Sequence, residues 1–220
     1  MLVSLDRVSL DYGSGTRTVH AVTDVTARVS RGATIAVTGP SGSGKSSLLH
    51  LMAGLEAPTS GTVSWPAFGI SPHADPARAG VVFQAPSLVP TLDVIENIAL
   101  PLVVAGATDA DARDRSREAL SLLDLAWLGD QLPDTLSGGQ AQRAALARIL
   151  ALRAPLLLAD EPTGQLDSET GAAVLDLMFR VAHEIGAALV VSTHDRSVAG
   201  RFDMEWTMTA GKLEDSVARG

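Results

Sequence analysis

The chain has 220 residues, 46% of them apolar, with 17 lysines and arginines against 25 aspartates and glutamates, a formal net charge of −8 and no cysteine. That length predicts one large domain, or one domain carrying an inserted subdomain, with a core big enough to need no covalent staple. The missing cysteines exclude disulfides, thiolate metal sites and a cysteine nucleophile, and the acidic balance argues against DNA or RNA as a partner, because it lacks the basic field that displaces counterions.

The start, Met1 to Arg7, has no basic region followed by an apolar core, and no run of about 18 apolar residues occurs. The expectation is a cytosolic chain that does not cross a membrane by itself. Val3, Leu5, Val8 and Leu10, then Val22, Val25, Ala27 and Val29, alternate as strands of an antiparallel edge layer, with a turn at Asp11 to Gly15. The apolar run Thr34 to Val37 then leads into Gly39-Pro40-Ser41-Gly42-Ser43-Gly44-Lys45-Ser46, and a helix-like stretch, Ser47 to Met52, follows. This is G-x-x-x-x-G-K-[ST] in the strand-to-helix context it requires. Its glycines let the backbone curl so that several N–H groups face one concavity, the helix start adds positive potential, Lys45 reaches β/γ-phosphates and Ser46 ligates Mg²⁺. Only Lys45 and Lys212 are lysines, which argues against a cradle lysine arising by accident of composition.

Ala57 to Gly61 breaks the helix, and a short strand is expected at Thr62 to Trp65, then a Pro- and Ala-rich loop over residues 66–79, then a strand Val81 to Phe83 ending at Gln84. From Pro86 to about Gln131 the pattern is helical, with an apolar Val94 to Val104 interrupted by a proline and a charged face on Asp109 to Leu125. Ser137-Gly138-Gly139-Gln140 forms an S-x-x-Q capping box, preceded by Leu136, for a helix over Ala141 to Leu152. The expected organisation is one α/β body, about 1–85 and 155–220, with a helical subdomain at about 86–153. The body resumes with the apolar strand Leu156 to Asp160, a helix over Ser168 to Ile185 and a buried strand Ala187 to Ser192. Strand–helix alternation of this kind predicts a mostly parallel sheet with helices on both faces.

Ligands of such sheets bind beyond the carboxyl ends of the strands. The polar residues there are Gly39, Gln84, Asp160 with Glu161, and His194. A strand-end Asp160 suits a magnesium ion on a triphosphate, with Gln84 bridging metal and water. Glu161 is placed to orient or deprotonate the attacking water, and His194 to hold the γ-phosphate.

Gly39 to Ser46, Gln84, Leu136-Ser137-Gly138-Gly139-Gln140, Leu156 to Glu161 and His194, in this order, closely resemble the ATP-binding cassette (ABC) ATPases. The resemblance covers essentially the whole chain. It implies an ATP hydrolase using ATP and Mg²⁺, built on a P-loop sheet with an antiparallel edge layer and a helical insertion. It also implies a head-to-tail dimer, homodimeric or pseudo-symmetric, in which Ser137, Gly138, Gly139 and Gln140 of one subunit close over ATP held by Gly39 to Ser47 of the other. Tyr12 matches the aromatic that stacks on adenine, and Asp167 the loop that crosses the dimer interface. A separate transmembrane, permease-like partner is implied, docking near Gln84 to Leu102 and holding the cassette on the inner face of the membrane.

Glu161-Pro162-Thr163-Gly164, Leu166-Asp167 and Glu96-Asn97-Ile98-Ala99-Leu100-Pro101-Leu102 look like the branch serving lipoprotein release, macrolide export and cell division. Gln165 stands where that branch usually has Asn, and residues 66–79 are abbreviated. The expected task is export or extraction of a substrate. The alternatives are a cassette that drives transmembrane signalling or cell-wall enzyme activation without transport, a soluble ABC protein acting on ribosomes or DNA, and a P-loop small-molecule kinase.

Overall fold

A computed structural model describes residues 1–218 of the chain. Strands β1 (Val3–Tyr12), β2 (Val19–Val29) and β4 (Ser60–Ser64) form an antiparallel sheet in the order β2-β1-β4. A second, six-stranded sheet contains β3 (Thr34–Thr38), β5 (Ala79–Val82), β6 (Leu156–Asp160), β7 (Ala188–Ser192), β8 (Met204–Thr209) and β9 (Lys212–Ala218), in the order β5-β6-β7-β3-β8-β9. It is parallel except for β9, which returns antiparallel to β8. Helices α1 (Lys45–Ala53), α2 (Val94–Val104), α3 (Asp109–Leu122), α4 (Gly138–Leu152), α5 (Ser168–Ile185) and the short α6 (Arg196–Ala199) connect them.

The sheet divides two apolar cores by the alternation of its side chains. Leu156 and Leu158 of β6, Ile35 and Val37 of β3, and Val190 of β7 face α1 and the antiparallel sheet. Leu157 and Ala159, Ala36, and Leu189 with Val191 face the other way, onto α4 and α5. A strand covered on both faces is apolar wherever it meets the cores, which is why β6 and β7 read as apolar runs up to their last residues, Asp160 and Ser192, and are buried throughout.

Several boundaries differ from the sequence expectation for local reasons. The strand expected at Thr62 to Trp65 is Ser60–Ser64, paired with β1, and the strand expected at Val81 to Phe83 is Ala79–Val82. Residues 66–79 are not plain loop: two 3₁₀ turns, Pro72–Ala74 and Pro76–Arg78, each start on proline and are capped by Ser71 and Asp75. Helix α2 continues through Pro101, near its last turn, opened by a capping box of Asp93 with Glu96. Helix α4 starts at Gly138, with Ser137 as its cap. The β8–β9 hairpin completes the sheet beside β3.

Candidate active site

Register aligns the strand ends. Val37 and Asp160 both pair with Ser192, so the loop after β3, the acids after β6 and the residues after β7 emerge side by side at one sheet edge. Glycine is required in the first of these. A Cβ on Gly39, whose φ is +142°, would lie 2.1 Å from the Met208 carbonyl oxygen, and one on Gly44, at +101°, would lie 2.1 Å from the Ala21 carbonyl oxygen. The loop is therefore wedged between β8 and β2 by backbone contact, and its turn is fixed by Ser43 N–H donating to Pro40 O (3.2 Å) and Gly211 N–H donating to Ser43 O (3.0 Å). Lys45 is buried, and its ammonium donates to the carbonyls of Gly39 (2.9 Å) and Pro40 (3.0 Å) across the same loop. No carboxylate pairs with it among the described residues, leaving a cation, the free N–H groups of the first turn of α1 and a half-buried Ser46 around one concavity.

The acids follow β6, the next strand but one from β3 at the same edge. Asp160 is buried and accepts a hydrogen bond from the Ser192 hydroxyl. The Glu161 N–H donates to Ser192 O (3.1 Å) and Oγ (3.0 Å). Glu161 has φ of +47°, an uncommon conformation for a non-glycine residue, held by those bonds and by Gly164 N–H donating to its carbonyl (3.1 Å). Its carboxylate Oε2 stands 3.2 Å from His194 Nδ1; the glutamate is mostly buried and the imidazole exposed.

Other residues singled out in the sequence are arranged around this centre. Tyr12 ends β1 with its ring exposed and its hydroxyl 3.5 Å from Ser47 Oγ and 3.4 Å from a Glu56 oxygen, at the outer side of the cradle. Gln84 lies exposed two residues past β5, on the far side of β6. The Ser137 to Gln140 stretch forms its capping box (2.8 and 3.3 Å), and no hydrogen bond joins it to the cradle of its own chain among the described residues. Asp167 caps α5, and the amide and side chain of Thr170 hold its carboxyl below the usual range. Gln165 lies over the start of α4, with its Oε1 3.2 Å from where a Cβ on Gly138 would be.

Besides the His194 imidazole, the groups at the acid edge offer oxygen donors. Asp160 keeps one carboxylate oxygen free of the Ser192 bond, and Ser46 supplies a hydroxyl. No group of three or more His, Cys, Asp or Glu able to hold a metal occurs among the described residues. The donor set fits a hard cation that arrives already bound to phosphate oxygens. Three supporting residues were given no role from sequence, although Asn97 stands in the run that resembles the branch. Ser192 gains its role from register opposite Asp160. Asn97, buried on α2, binds Val89 N–H with Oδ1 (2.7 Å) and places Nδ2 within 2.9–3.1 Å of the carbonyls of Val89, Leu92 and Asp93. Arg148 of α4 donates to Ser87 O (3.0 Å), and burial pulls its pKa down. The last two pin the segment that follows Gln84.

Comparison with known proteins places this geometry. A family model described as ABC transporter matches residues 22–164. The lipoprotein-releasing system ATP-binding protein LolD of Bordetella pertussis is 41% identical over 210 residues, covering 92% of this chain and 91% of that protein. An uncharacterized ABC transporter ATP-binding protein, YbbA of Escherichia coli, is 39% identical over 221 residues, 97% of each. The ATP-binding cassette MJ0796, solved as a dimer in a post-hydrolysis state bound to ADP and Pi, matches with a TM-score of 0.91 at 33% identity over 100% of both chains. With the cradle, the strand-end acids and the capped start of α4 in this order on this sheet, the chain belongs to the ABC transporter family as an ATP-binding, ATP-hydrolysing cassette.

Proposed function

We propose that this cassette dimerises on MgATP and drives a separate transmembrane protein that extracts or exports its substrate, in the manner the name of the LolD relative describes for lipoprotein release. The observation that carries the reading is the split of polar machinery within one chain. Lys45, Asp160, Glu161 and His194 converge on one edge, while Ser137 and Gly138 at the amide-rich start of α4 are exposed and, among the described residues, make no hydrogen bond to that cradle, as a surface for a second copy's nucleotide. The dimeric form of the MJ0796 cassette supports that arrangement.

In this reading Gly39 to Ser47 cradle the triphosphate and Tyr12 offers its ring to the adenine. Ser46, Asp160 and Gln84 hold the magnesium ion, which when bound neutralises the phosphate charge. Glu161 takes the proton of the attacking water at its carboxylate, and His194 orients that carboxylate and contacts the γ-phosphate. Ser137 to Gln140 complete the partner's site, and Asp167 lies at the interface. Residues of about 86–153 act as a helical subdomain attached to the α/β body.

No helix among the described residues is long and apolar enough to cross a membrane, while α2, whose Asn97 holds the segment after Gln84, exposes Leu100, Val103 and Val104. We assign that patch to the membrane partner, and the cassette to the inner membrane face through it. Affinity purification of the tagged chain from detergent-solubilised membranes tests the proposal. The expected result is an integral membrane protein at stoichiometric level that raises ATP turnover; isolation of the cassette without one, and with turnover unaffected by membranes, would overturn it.

A further inference from the structure

Gln142 lies one turn into α4, fully buried, with its Nε2 donating to the carbonyl oxygen of Pro162 at 3.4 Å and its Oε1 without a hydrogen-bond partner among the described residues. A buried amide satisfied on one side only is a poor choice for packing, since an apolar side chain of that size fills the space without the desolvation penalty. Its single bond therefore accounts for its presence. Pro162 is the residue after Glu161, and the turn is drawn tight there by Gly164 N–H donating to Glu161 O.

Two more contacts run along the same side. A Cβ on Gly138 would stand 3.2 Å from Gln165 Oε1, and one on Gly139 3.4 Å from Leu166 Cδ2. Positions 138, 139 and 142 share one face of a helix, and that face lies along residues 162–166 of the same chain. The end of α4 that meets a partner's nucleotide is thus seated on the turn that carries its own Glu161.

We infer that Gln142 is a positioning residue. It ties the start of α4 to the peptide after Glu161, so the pose of the Glu161 carboxylate in one protomer depends on whether that protomer's own Ser137 to Gln140 stretch is engaged by the partner's ATP. This rests on the reading of that stretch as acting across the dimer. Each hydrolysis site then senses closure of the other through a link inside one chain.

Mixed dimers of two differently tagged full-length copies test it. One copy keeps Glu161 and the other carries Glu161→Gln, so a single site turns over. Gln142→Met in the Glu161 copy is expected to slow single-turnover phosphate release about ten-fold, as a displaced catalytic group does, with the KM for ATP changed less than two-fold. The same substitution in the Glu161→Gln copy retains most of the release rate. Equal losses in the two arrangements, loss only in the second, or no loss in either would overturn the inference, since a residue that merely supports the start of α4 acts on the partner's site. Ser137→Arg in the Glu161→Gln copy checks the underlying reading separately: it is expected to abolish release, and full activity there would remove the trans role itself. Should Gln142→Met fail to fold, Gln142→Asn withdraws the amide from Pro162 with a smaller change and carries the same expectations.

Discussion

The carboxylate of Glu161 and the imidazole of His194 face each other across two neighbouring strand ends, Oε2 to Nδ1 at 3.2 Å. The glutamate is mostly buried and the ring mostly exposed, so the histidine is free to turn toward a ligand while the glutamate is held. Glu161→Gln keeps the shape and removes the proposed base. It is expected to leave ATP affinity within about three-fold, to lower turnover by roughly 10²–10⁴, and to accumulate an ATP-bound dimer in size-exclusion chromatography. His194→Ala is expected to lower turnover with a smaller change in affinity. Wild-type phosphate release by Glu161→Gln would remove that residue from the role.

Among the described residues Lys45 bonds two carbonyls of its own loop and no carboxylate, contacts it can exchange for phosphate oxygens without breaking an ion pair. A charge-assisted hydrogen bond contributes about 1.5–3 kcal/mol. Lys45→Ala is therefore expected to weaken ATP binding by roughly one to two orders of magnitude in calorimetry, with the melting temperature of the nucleotide-free protein little changed. Unchanged affinity would contradict the cradle.

Gly44 and Gly42 both have positive φ, +101° and +76°, but differ in their surroundings. A Cβ at 44 would lie 2.1 Å from the Ala21 carbonyl oxygen, whereas at 42 nothing stands within 4 Å. Gly42→Ala should cost only the left-handed strain, about 1–2 kcal/mol. Gly44→Ala adds a backbone clash that must displace β2, for a total above about 3 kcal/mol. Thermal unfolding is expected to rank Gly44→Ala well below Gly42→Ala; equal melting temperatures would show that β2 does not brace the loop.

Features carried by short contiguous runs were legible in the sequence. The Gly39 to Ser46 loop, the doubly buried β6 and β7 and the capped start of α4 each state their physics within about ten residues. Features whose partners are distant were not. Strand β8 pairs Ile35 with Met204 and Ala36 with Glu205, and its mix of polar and apolar residues acquires meaning only beside β3. Ser192 ends an apolar strand like any small polar residue until register sets it against Asp160. Pro101 reads as a break, yet one lost backbone bond near a helix end is outweighed by the burial of Ile98 and Leu102. Gln165 departs from the expected Asn, and its longer side chain reaches over Gly138.

Asn97 offers the sharpest separation of chemistry from coupling. Its buried amide is bonded to Val89, Leu92 and Asp93, bracing the segment between Gln84 and α2 without touching the cradle. Asn97→Ala leaves Val89 N–H and the carbonyls around it without that partner, a loss of roughly 2–4 kcal/mol. The melting temperature should fall by about 5–15 °C for a chain of this size, and amide exchange should accelerate first in residues 87–93. Basal ATP turnover, measured well below the transition, is expected to stay within about two-fold, because Lys45, Asp160 and Glu161 are held by other bonds. Stimulation by the proposed membrane partner should fall several-fold more than basal turnover, since the loosened segment is braced by the same helix that exposes Leu100 and Val103. Equal losses of basal and stimulated turnover would place Asn97 in the support of the nucleotide site and separate the α2 patch from coupling.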